Sequence, residues 1–397
     1  MPRILGSATL AVRLPDLPLL TSVKGIALMN KETNRNRHHR LQFLSVSLPV
    51  VASLLFVPPA TAVQFTTLDP AYTQTIYAGP NVGLPGAWMP TGEMLARKGN
   101  APDILEYNTT QNATYQGTST HGVNATHTIS GLAAGNNLAR AINGFLYLPT
   151  QVGLQRVDSS NWALPAVTVT TVAGPGYGVN SLPNGNVVYS AGFSGPQSNE
   201  IHIYNPSSNT DTLAYTSTGL IDDIETSLTG LIALAGQSNN EIILLNSSGG
   251  FIQQIPTSNF PDGLAFATTA SPPALYSNDN KGTITRYDFG GGYSSPPTNV
   301  QTIASGGSYG DIACTGMCKF YVTQFFNQGI HGSALFGTHW DNGVTNNDPS
   351  IIEIGSKQGC LFDPPVGFNV NVPEPASLVL VLWSMAAMMC RRSRASV

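Results

Sequence analysis

The sequence contains few charged residues. Asp, Glu, Lys and Arg make up 10% of its 397 residues. Basic residues are scarcest in the middle of the chain, where residues 63–371 hold 8 Lys and Arg against 19 Asp and Glu. A protein that binds nucleic acid needs a basic face to neutralise phosphates. The composition therefore excludes nucleic acid as a partner of this segment.

Cysteine is also sparse. The chain has four, Cys314, Cys318, Cys360 and Cys390, and the body over residues 63–371 is too long for a small disulfide-stapled scaffold. A segment of this length can instead bury a large hydrophobic core. In an oxidising compartment Cys314 and Cys318 are the nearest candidates for a disulfide. Free buried thiols and a metal site remain as alternatives.

The residues that are abundant favour β-structure. The chain has 40 Gly and 28 Pro, together with many Asn, Ser and Thr. These are the residues of turns, and they separate short runs of apolar residues. The sequence therefore predicts a turn-rich, all-β body over residues 63–371.

The N-terminal 62 residues contain a pattern typical of a secretory signal peptide. A basic stretch, residues 35–40, precedes an apolar run from Leu41 to Val57. Ala60-Thr61-Ala62 then has the small-residue spacing of a cleavage site. Met29 stands just before the basic stretch, and we expect translation to start there. We expect the mature chain to begin at Val63.

The C-terminal segment, residues 372–397, combines three features in a fixed order. It has a Pro-Glu-Pro box, then an uncharged run over 376–390, then a cluster of arginines. The residues of the box and the cluster are Pro373, Glu374, Pro375, Arg391, Arg392 and Arg394. The prolines disfavour helix entry from upstream. The apolar run is slightly shorter than the roughly 20 residues that span a bilayer, and arginines at its end favour a cytoplasmic position.

This order of features resembles the PEP-CTERM sorting signal of exported bacterial proteins. The resemblance implies a partner, a membrane-embedded processing enzyme of the exosortase type. It also implies that this enzyme cuts near the box and releases the body to the cell surface or extracellular space. An ordinary tail anchor and a buried core helix are the alternatives.

A short strand pattern ending at Asn or Asp recurs along the body. Its copies are residues 103–108, 153–158, 200–205, 241–246 and 283–288, with a degenerate sixth at 350–355. A more apolar strand precedes each copy, near residues 94–96, 145–148, 187–189, 231–234, 275–276 and 320–322. A period in the low forties with several strands per repeat is typical of β-propeller blades. A β-sandwich or a β-helix would not keep this period.

Six copies predict six blades. The last copy leaves too little room for a regular outer strand, and the segment 323–350 is expected to be a long loop carrying His331, His339 and Asp341. The segment from Tyr72 to Tyr77 lies before the first copy, and its alternating pattern predicts an additional strand. We expect it to close the ring as the outer strand of the last blade, since closure removes an exposed sheet edge.

The first strand of each blade is expected to start at a recurring Gly, Asp or Asn. The segments concerned are residues 177–180, 221–224, 260–266 and 309–313. Pro261-Asp262-Gly263-Leu264-Ala265 resembles the blade entry of NHL-repeat and gluconolactonase-type six-bladed propellers. In the lactonase type, an Asp and an Asn at such entries help to bind a divalent metal. The matching positions here are Asp262 and Asn180, whereas the family's metal-binding Glu near the first blade has no match.

Asp223, Asp262 and Asp311 begin successive blades and could face one mouth of the channel. Carboxylates that converge in this way can hold Ca²⁺ or another divalent metal. The alternative is that each carboxylate caps the turn of its own blade through a hydrogen bond. The sequence therefore leaves Asp262, Asn180, Asp311 and Asp223 as metal candidates and identifies no complete catalytic set.

Two functions follow as hypotheses. The first is an exported β-propeller that acts as a binding or structural protein of the extracellular matrix, with extracellular polysaccharide as a possible partner. The second is a metal-dependent lactone or ester hydrolase that uses the propeller channel, with Asp262 and Asn180 as ligands and Asp311 or Asp223 as the base.

Overall fold

The computed structural model describes residues 65–357, apart from residues 81, 99–100, 116, 136, 173–176, 192–196, 280–281, 307–322, 328–331 and 340–349. The predicted signal peptide and sorting signal therefore lie outside the described residues. So do Asp311, Cys314 and Cys318. Within the described ranges, the structure contains no helix with the length and apolar character needed to cross a bilayer.

The described residues form a six-bladed, all-antiparallel β-propeller. Two strands, β1 (Thr67–Leu68) and β2 (Tyr72–Ala78), precede the first blade. Blade 1 consists of β3 (Leu84–Trp88), β4 (Met94–Arg97), β5 (Asp103–Tyr107) and β8 (Val123–Thr128), with a hairpin of β6 (Ala113–Tyr115) and β7 (Thr118–Thr120) before its last strand. Blade 2 consists of β9 (Ala139–Arg140), β10 (Phe145–Thr150), β11 (Gly153–Asp158) and β12 (Val167–Thr168).

The remaining blades repeat this arrangement. Blade 3 contains β13 (Val179–Ser181), β14 (Val187–Ser190), β15 (Glu200–Asn205) and β16 (Thr210–Thr216); blade 4 contains β17 (Ile221–Thr226), β18 (Ile232–Gly236), β19 (Glu241–Leu245) and β20 (Phe251–Pro256). Blade 5 contains β21 (Pro261–Ala267), β22 (Ala274–Asp279), β23 (Ile284–Asp288) and β24 (Asn299–Ser305); blade 6 contains β25 (Thr323–Asn327), β26 (Gly332–His339) and β27 (Ser350–Ser356).

The first strands of the blades line the axis. Each contacts the first strand of the next blade, and β25 of blade 6 contacts β3 of blade 1, so the ring is closed. The second and third strands are almost entirely buried, as in β18 and β19, because neighbouring blades cover both of their faces. The predicted propeller and its six blades are therefore confirmed.

The prediction for blade 6 was partly wrong. Residues 323–350, expected to be a long loop, contain β25 and β26, two of the strands of this blade. Ala334 and Leu335 in β26 are fully buried, as second-strand residues are elsewhere. The constant period had placed the second strand at residues 320–322, which lie outside the described residues. Strand β26 starts at residue 332, so the repeat is longer in this blade than in the others.

The predicted closing strand is confirmed. Strand β2 pairs antiparallel with β27, from Tyr72 opposite Ser356 to Ala78 opposite Ile351. Beyond this prediction, β1 adds a fifth strand to blade 5 by pairing with β24. The N-terminal segment therefore holds blades 5 and 6 together at once.

Side chains reinforce this N-terminal connection. Tyr72 is buried and its hydroxyl lies 3.0 Å from the hydroxyl of Tyr276 in blade 5. Arg286 donates a hydrogen bond of 3.3 Å to the same Tyr72 oxygen and one of 2.6 Å to Asp288. Phe65 is also buried, and it exchanges two hydrogen bonds with the side chain of Gln74.

We predict that deletion of residues 63–78 from the full chain lowers the melting temperature substantially and promotes aggregation. The deletion removes the β2–β27 pairing and the buried side chains of Phe65, Tyr72 and Ile76, each worth about 1.5–3 kcal/mol. Such a loss is comparable with the whole stability of an ordinary domain. Thermal unfolding followed by circular dichroism, with light scattering for aggregation, measures both effects.

Tyr72→Phe serves as the graded control, because it removes only the hydroxyl and should cost about 0.5–1.5 kcal/mol. A deletion variant that melts like the full chain would show that the segment is a linker and that the ring is held closed by other contacts.

Candidate functional site

The predicted site residues Asn180, Asp223 and Asp262 lie in the first strands of blades 3, 4 and 5. We call the end of the propeller where these strands begin the entry end. Together with Glu225 near the end of β17 and Asn278 near the end of β22, which sequence reasoning missed, we call them the entry cluster. Strands β17 and β21 each have a β-bulge here, between Ile221 and Ile224 and between Pro261 and Leu264.

The bulges explain why acidic residues occur at these positions. Bulged residues leave the regular ladder of backbone hydrogen bonds and redirect their side chains. Asp222 and Asp223 occupy the bulge of blade 4, and Asp262 and Gly263 occupy that of blade 5. Asp223 retains only 6% exposure and Asp262 has none. The carboxylates are therefore held inside the protein and not in solvent.

Asn180 links blade 3 to blade 4. Its amide nitrogen donates a hydrogen bond of 3.0 Å to Oε2 of Glu225 and one of 3.4 Å to the carbonyl oxygen of Ile224. Its Oδ1 accepts a hydrogen bond of 2.7 Å from the backbone N–H of Ser181. The hydroxyl of Thr226 adds a bond of 2.7 Å back to the carbonyl oxygen of Ser181. The two inner strands are thus joined by side chains as well as by packing.

A glycine permits this close approach. A Cβ atom on Gly178 would lie 2.4 Å from Cγ1 of Ile224 and 3.0 Å from its backbone nitrogen. Any side chain at this position would push blades 3 and 4 apart. The Gly-Val-Asn sequence at the start of this blade therefore has a steric as well as a polar function.

Asp223 links blade 4 to blade 5. Its Oδ2 accepts a hydrogen bond of 2.9 Å from the backbone N–H of Leu264. Within blade 5, Oδ1 of Asn278 accepts one of 2.8 Å from the N–H of Gly263. These two bonds satisfy backbone donors that the bulge of β21 removes from the ladder, and unpaired buried donors are costly.

The protonation of Asp223 is unusual. Burial raises the pKa of its carboxyl to about 7, and the neighbouring charge of Asp222 acts in the same direction. The backbone N–H groups of Leu264 and Ile224 oppose the shift. A carboxyl that titrates near neutrality can exchange protons at physiological pH, as a general base or acid must.

The metal prediction stays a prediction. In the described part of the chain, no three His, Cys, Asp or Glu side chains are grouped closely enough to hold a metal ion. Asp311, the fourth residue of the predicted set, lies outside that part. Of the other three, Asn180 and Asp223 are engaged in the hydrogen bonds that join blades. The described members therefore do not form a metal site by themselves.

Glu225 and Asn278 had weak sequence signals. Glu225 lies within the strand that Ile221-Asp222-Asp223-Ile224 opens, and Asn278 follows the apolar pair at the centre of its blade's second strand. Neither belongs to the motif that identified Asp262. Only the packing of neighbouring inner strands brings Glu225 to Asn180, and only the bulge brings Asn278 to Gly263.

Comparison with known proteins gives evidence on the fold. No protein-family model matches the sequence. No curated protein matches it either. Among solved structures, it is similar to a luciferin-regenerating enzyme, with a TM-score of 0.52 at 10% identity over 76% of this chain and 100% of that chain.

A second similar structure is a catalytically inactive virginiamycin B lyase from Staphylococcus aureus with quinupristin. Its TM-score is 0.44 at 12% identity, over 72% of this chain and 98% of that one. At such identities, the likeness to the luciferin-regenerating enzyme supports the propeller fold and nothing about chemistry.

We predict that Asp223→Asn becomes increasingly stabilising, relative to the native chain, as pH rises from 5 to 8. Folded Asp223 keeps its proton to about pH 7, whereas the unfolded carboxyl loses it near pH 4. The folded state therefore binds more protons across this window, and its stability falls as pH rises. The cost is about 1.4 kcal/mol for each pH unit between the unfolded and the folded pKa values, and it levels off above about pH 7.

The measurement is the difference in free energy of unfolding between the two proteins at pH 5, 6, 7 and 8. Asparagine keeps the acceptor for the Leu264 N–H, so the hydrogen bond to blade 5 is matched. A difference that does not change with pH would show that Asp223 is ionised in the folded protein throughout this range.

Proposed function

We propose that the chain is an exported β-propeller that acts as a binding or structural protein of the extracellular matrix. In this proposal, the signal peptide directs export, and an exosortase-type membrane enzyme processes the segment 372–397. Extracellular polysaccharide is the proposed partner. The observation that supports a binding or structural role is that side chains of the entry cluster form hydrogen bonds between neighbouring blades.

Three hydrogen bonds connect neighbouring blades in this way. Asn180 donates to Glu225, Thr226 donates to the backbone of Ser181, and Asp223 accepts from the backbone of Leu264. Each crosses from one blade to the next, as expected for groups that stabilise a scaffold. An acidic, sparsely charged body also fits a protein that works outside the cell among uncharged polymers.

We predict that the protein recovered from culture lacks both the apolar run 41–57 and the terminal arginines. Cell, membrane and medium fractions, followed by mass measurement of the intact protein, test this. A double variant, Pro373→Ala with Pro375→Ala, should leave the protein in the membrane fraction, because it removes the box that the processing enzyme is proposed to recognise.

The matched control is Pro364→Ala with Pro365→Ala, which changes two prolines upstream of the box and should be processed normally. Recovery of a mature protein that keeps residues 41–57 and Arg391, Arg392 and Arg394 would contradict the sorting proposal.

A hydrolase is the second candidate, and the burial of two carboxyls favours it. Asp262 is fully buried at a blade entry, and the pKa of Asp223 is raised to about 7. Asp262 and Asn180 would hold a divalent metal, which would polarise a lactone or ester carbonyl. Asp223 would accept the proton of the attacking water, since a carboxylate with a pKa near the working pH is an effective base.

If the hydrolase is right, lactone hydrolysis by the purified protein should depend on added Ca²⁺, Zn²⁺ or Mn²⁺ and disappear in Asp262→Asn. This variant keeps the size of the side chain, and an unchanged melting temperature would show that the fold survives. Activity no higher than that of the variant would remove the hydrolase.

A further inference from the structure

A groove runs between the outer strands of blades 4 and 5, and at the entry end it reaches Asn278 of the entry cluster. It encloses about 550 Å³, within the range of cavities that hold small ligands. Pro256 and the connection from Thr257 to Asn259 form one side. The outer strands β23 and β24 of blade 5 form the other. We call it the lateral groove.

The blade 5 wall includes two neighbouring pairs of side chains. Thr285 pairs with Thr302 across β23 and β24, and Tyr287 pairs with Val300 two residues further along. Because side chains alternate between faces of a strand, both pairs project into the groove. Within the described residues, no protein partner is assigned to the hydroxyl of Thr285 or to that of Thr302, so both are free to bind a ligand.

The apolar part of the groove lies beside these hydroxyls. Val300 is 57% exposed, and Tyr287 forms part of the buried surface that packs against Ile255 of blade 4. Burial, with the nearby charge of Asp279, raises the pKa of Tyr287 to about 12. The phenol therefore keeps its proton at neutral pH.

The entry end of the groove is held rigidly. Asn259 donates a hydrogen bond of 2.8 Å to Oδ2 of Asp279, and the N–H of Thr283 donates one of 3.0 Å to Oδ1. The hydroxyl of Thr257 donates one of 2.6 Å to the carbonyl oxygen of Asn259. A site fixed before binding loses less conformational entropy when a ligand arrives.

The charge of the lining restricts the ligand. Among the described residues that line the groove, Asp279 is the only charged one, and the others carry hydroxyls, amides or apolar groups. None of these described residues supplies a cation that could neutralise a phosphate, a sulfate or a uronic acid. A ligand with hydroxyl groups along its edges and C–H groups on its faces matches hydroxyls placed beside an apolar strip.

We propose that the lateral groove binds a segment of a neutral polysaccharide, with Thr285 and Thr302 as hydrogen-bonding residues and Val300 as an apolar contact. This inference rests on the proposed function, which it deepens by naming the site and the class of glycan.

The test measures binding of the purified full-length protein to three probes by affinity electrophoresis: dextran and laminarin, which are neutral glucans, and alginate, which is anionic. We expect retention by at least one neutral glucan and none by alginate. Thr285→Val with Thr302→Val should weaken that retention about threefold to tenfold, which corresponds to one or two lost hydrogen bonds. Thr302→Arg, at an exposed position, should block the groove and abolish retention.

Thr126→Val is the matched control, because Thr126 is an exposed threonine on the outermost strand of blade 1. It should bind like the native protein. If a neutral glucan retains the native protein and Thr302→Arg equally, the groove is not the binding site. That result would leave the proposed function standing. Retention by alginate alone, or by none of the three probes, would also overturn the groove. The fractionation and mass measurements decide separately whether the protein is exported and processed.

Discussion

The propeller depends on the pairing of β2 with β27, the first long strand with the last. An open ring would leave the apolar side chains of a blade exposed, because each blade needs a neighbour on both faces to bury them. The pairing joins segments about 280 residues apart in sequence, from Tyr72 beside Ser356. Its entropic cost is therefore that of a long loop. Tyr72 compensates by entering the interface with blade 5, where Tyr276 and Arg286 hold its hydroxyl.

Closure also determines the chemistry at the entry end. Once neighbouring blades cover the inner strands, polar groups on these strands are shielded from water, so each needs a partner. Asn180 with Glu225, and Asp223 with the N–H of Leu264, meet this requirement between blades. The hydrogen bonds of these residues thus stabilise the contacts between blades. The burial of the Asp223 carboxyl, however, makes its ionised form unfavourable. Such a conflict between burial and charge is common where a protein keeps a reactive carboxyl.

The sequence predicted the regular part of this fold because the regular part repeats. Copies such as Glu200–Asn205 and Glu241–Leu245 have the same alternation, and each is a third strand. The closing strand at Tyr72 was predictable because the last blade lacked an outer strand, whereas this segment lay before the first blade and belonged to none. Blade 6 was not predictable in detail, since β26 begins later than the period indicates. Asp223 was identified as a candidate, but its hydrogen bond to Leu264 depends on a register shift, which no local pattern encodes.

The strand directions separate the two candidate surfaces from the C-terminal connection. Strand β27 ends beside the start of β2, where the N–H of Lys357 donates a hydrogen bond of 2.9 Å to the carbonyl oxygen of Ala71. This point lies at the end of the propeller opposite the entry cluster, because β2 leads directly into the first strand of blade 1. The hydrogen bonds described above for the entry cluster all join residues that precede Lys357. The same is true of the bond between Asp279 and Asn259, which are held together at the entry end of the lateral groove. The described chain therefore leaves the propeller at the end opposite the entry cluster.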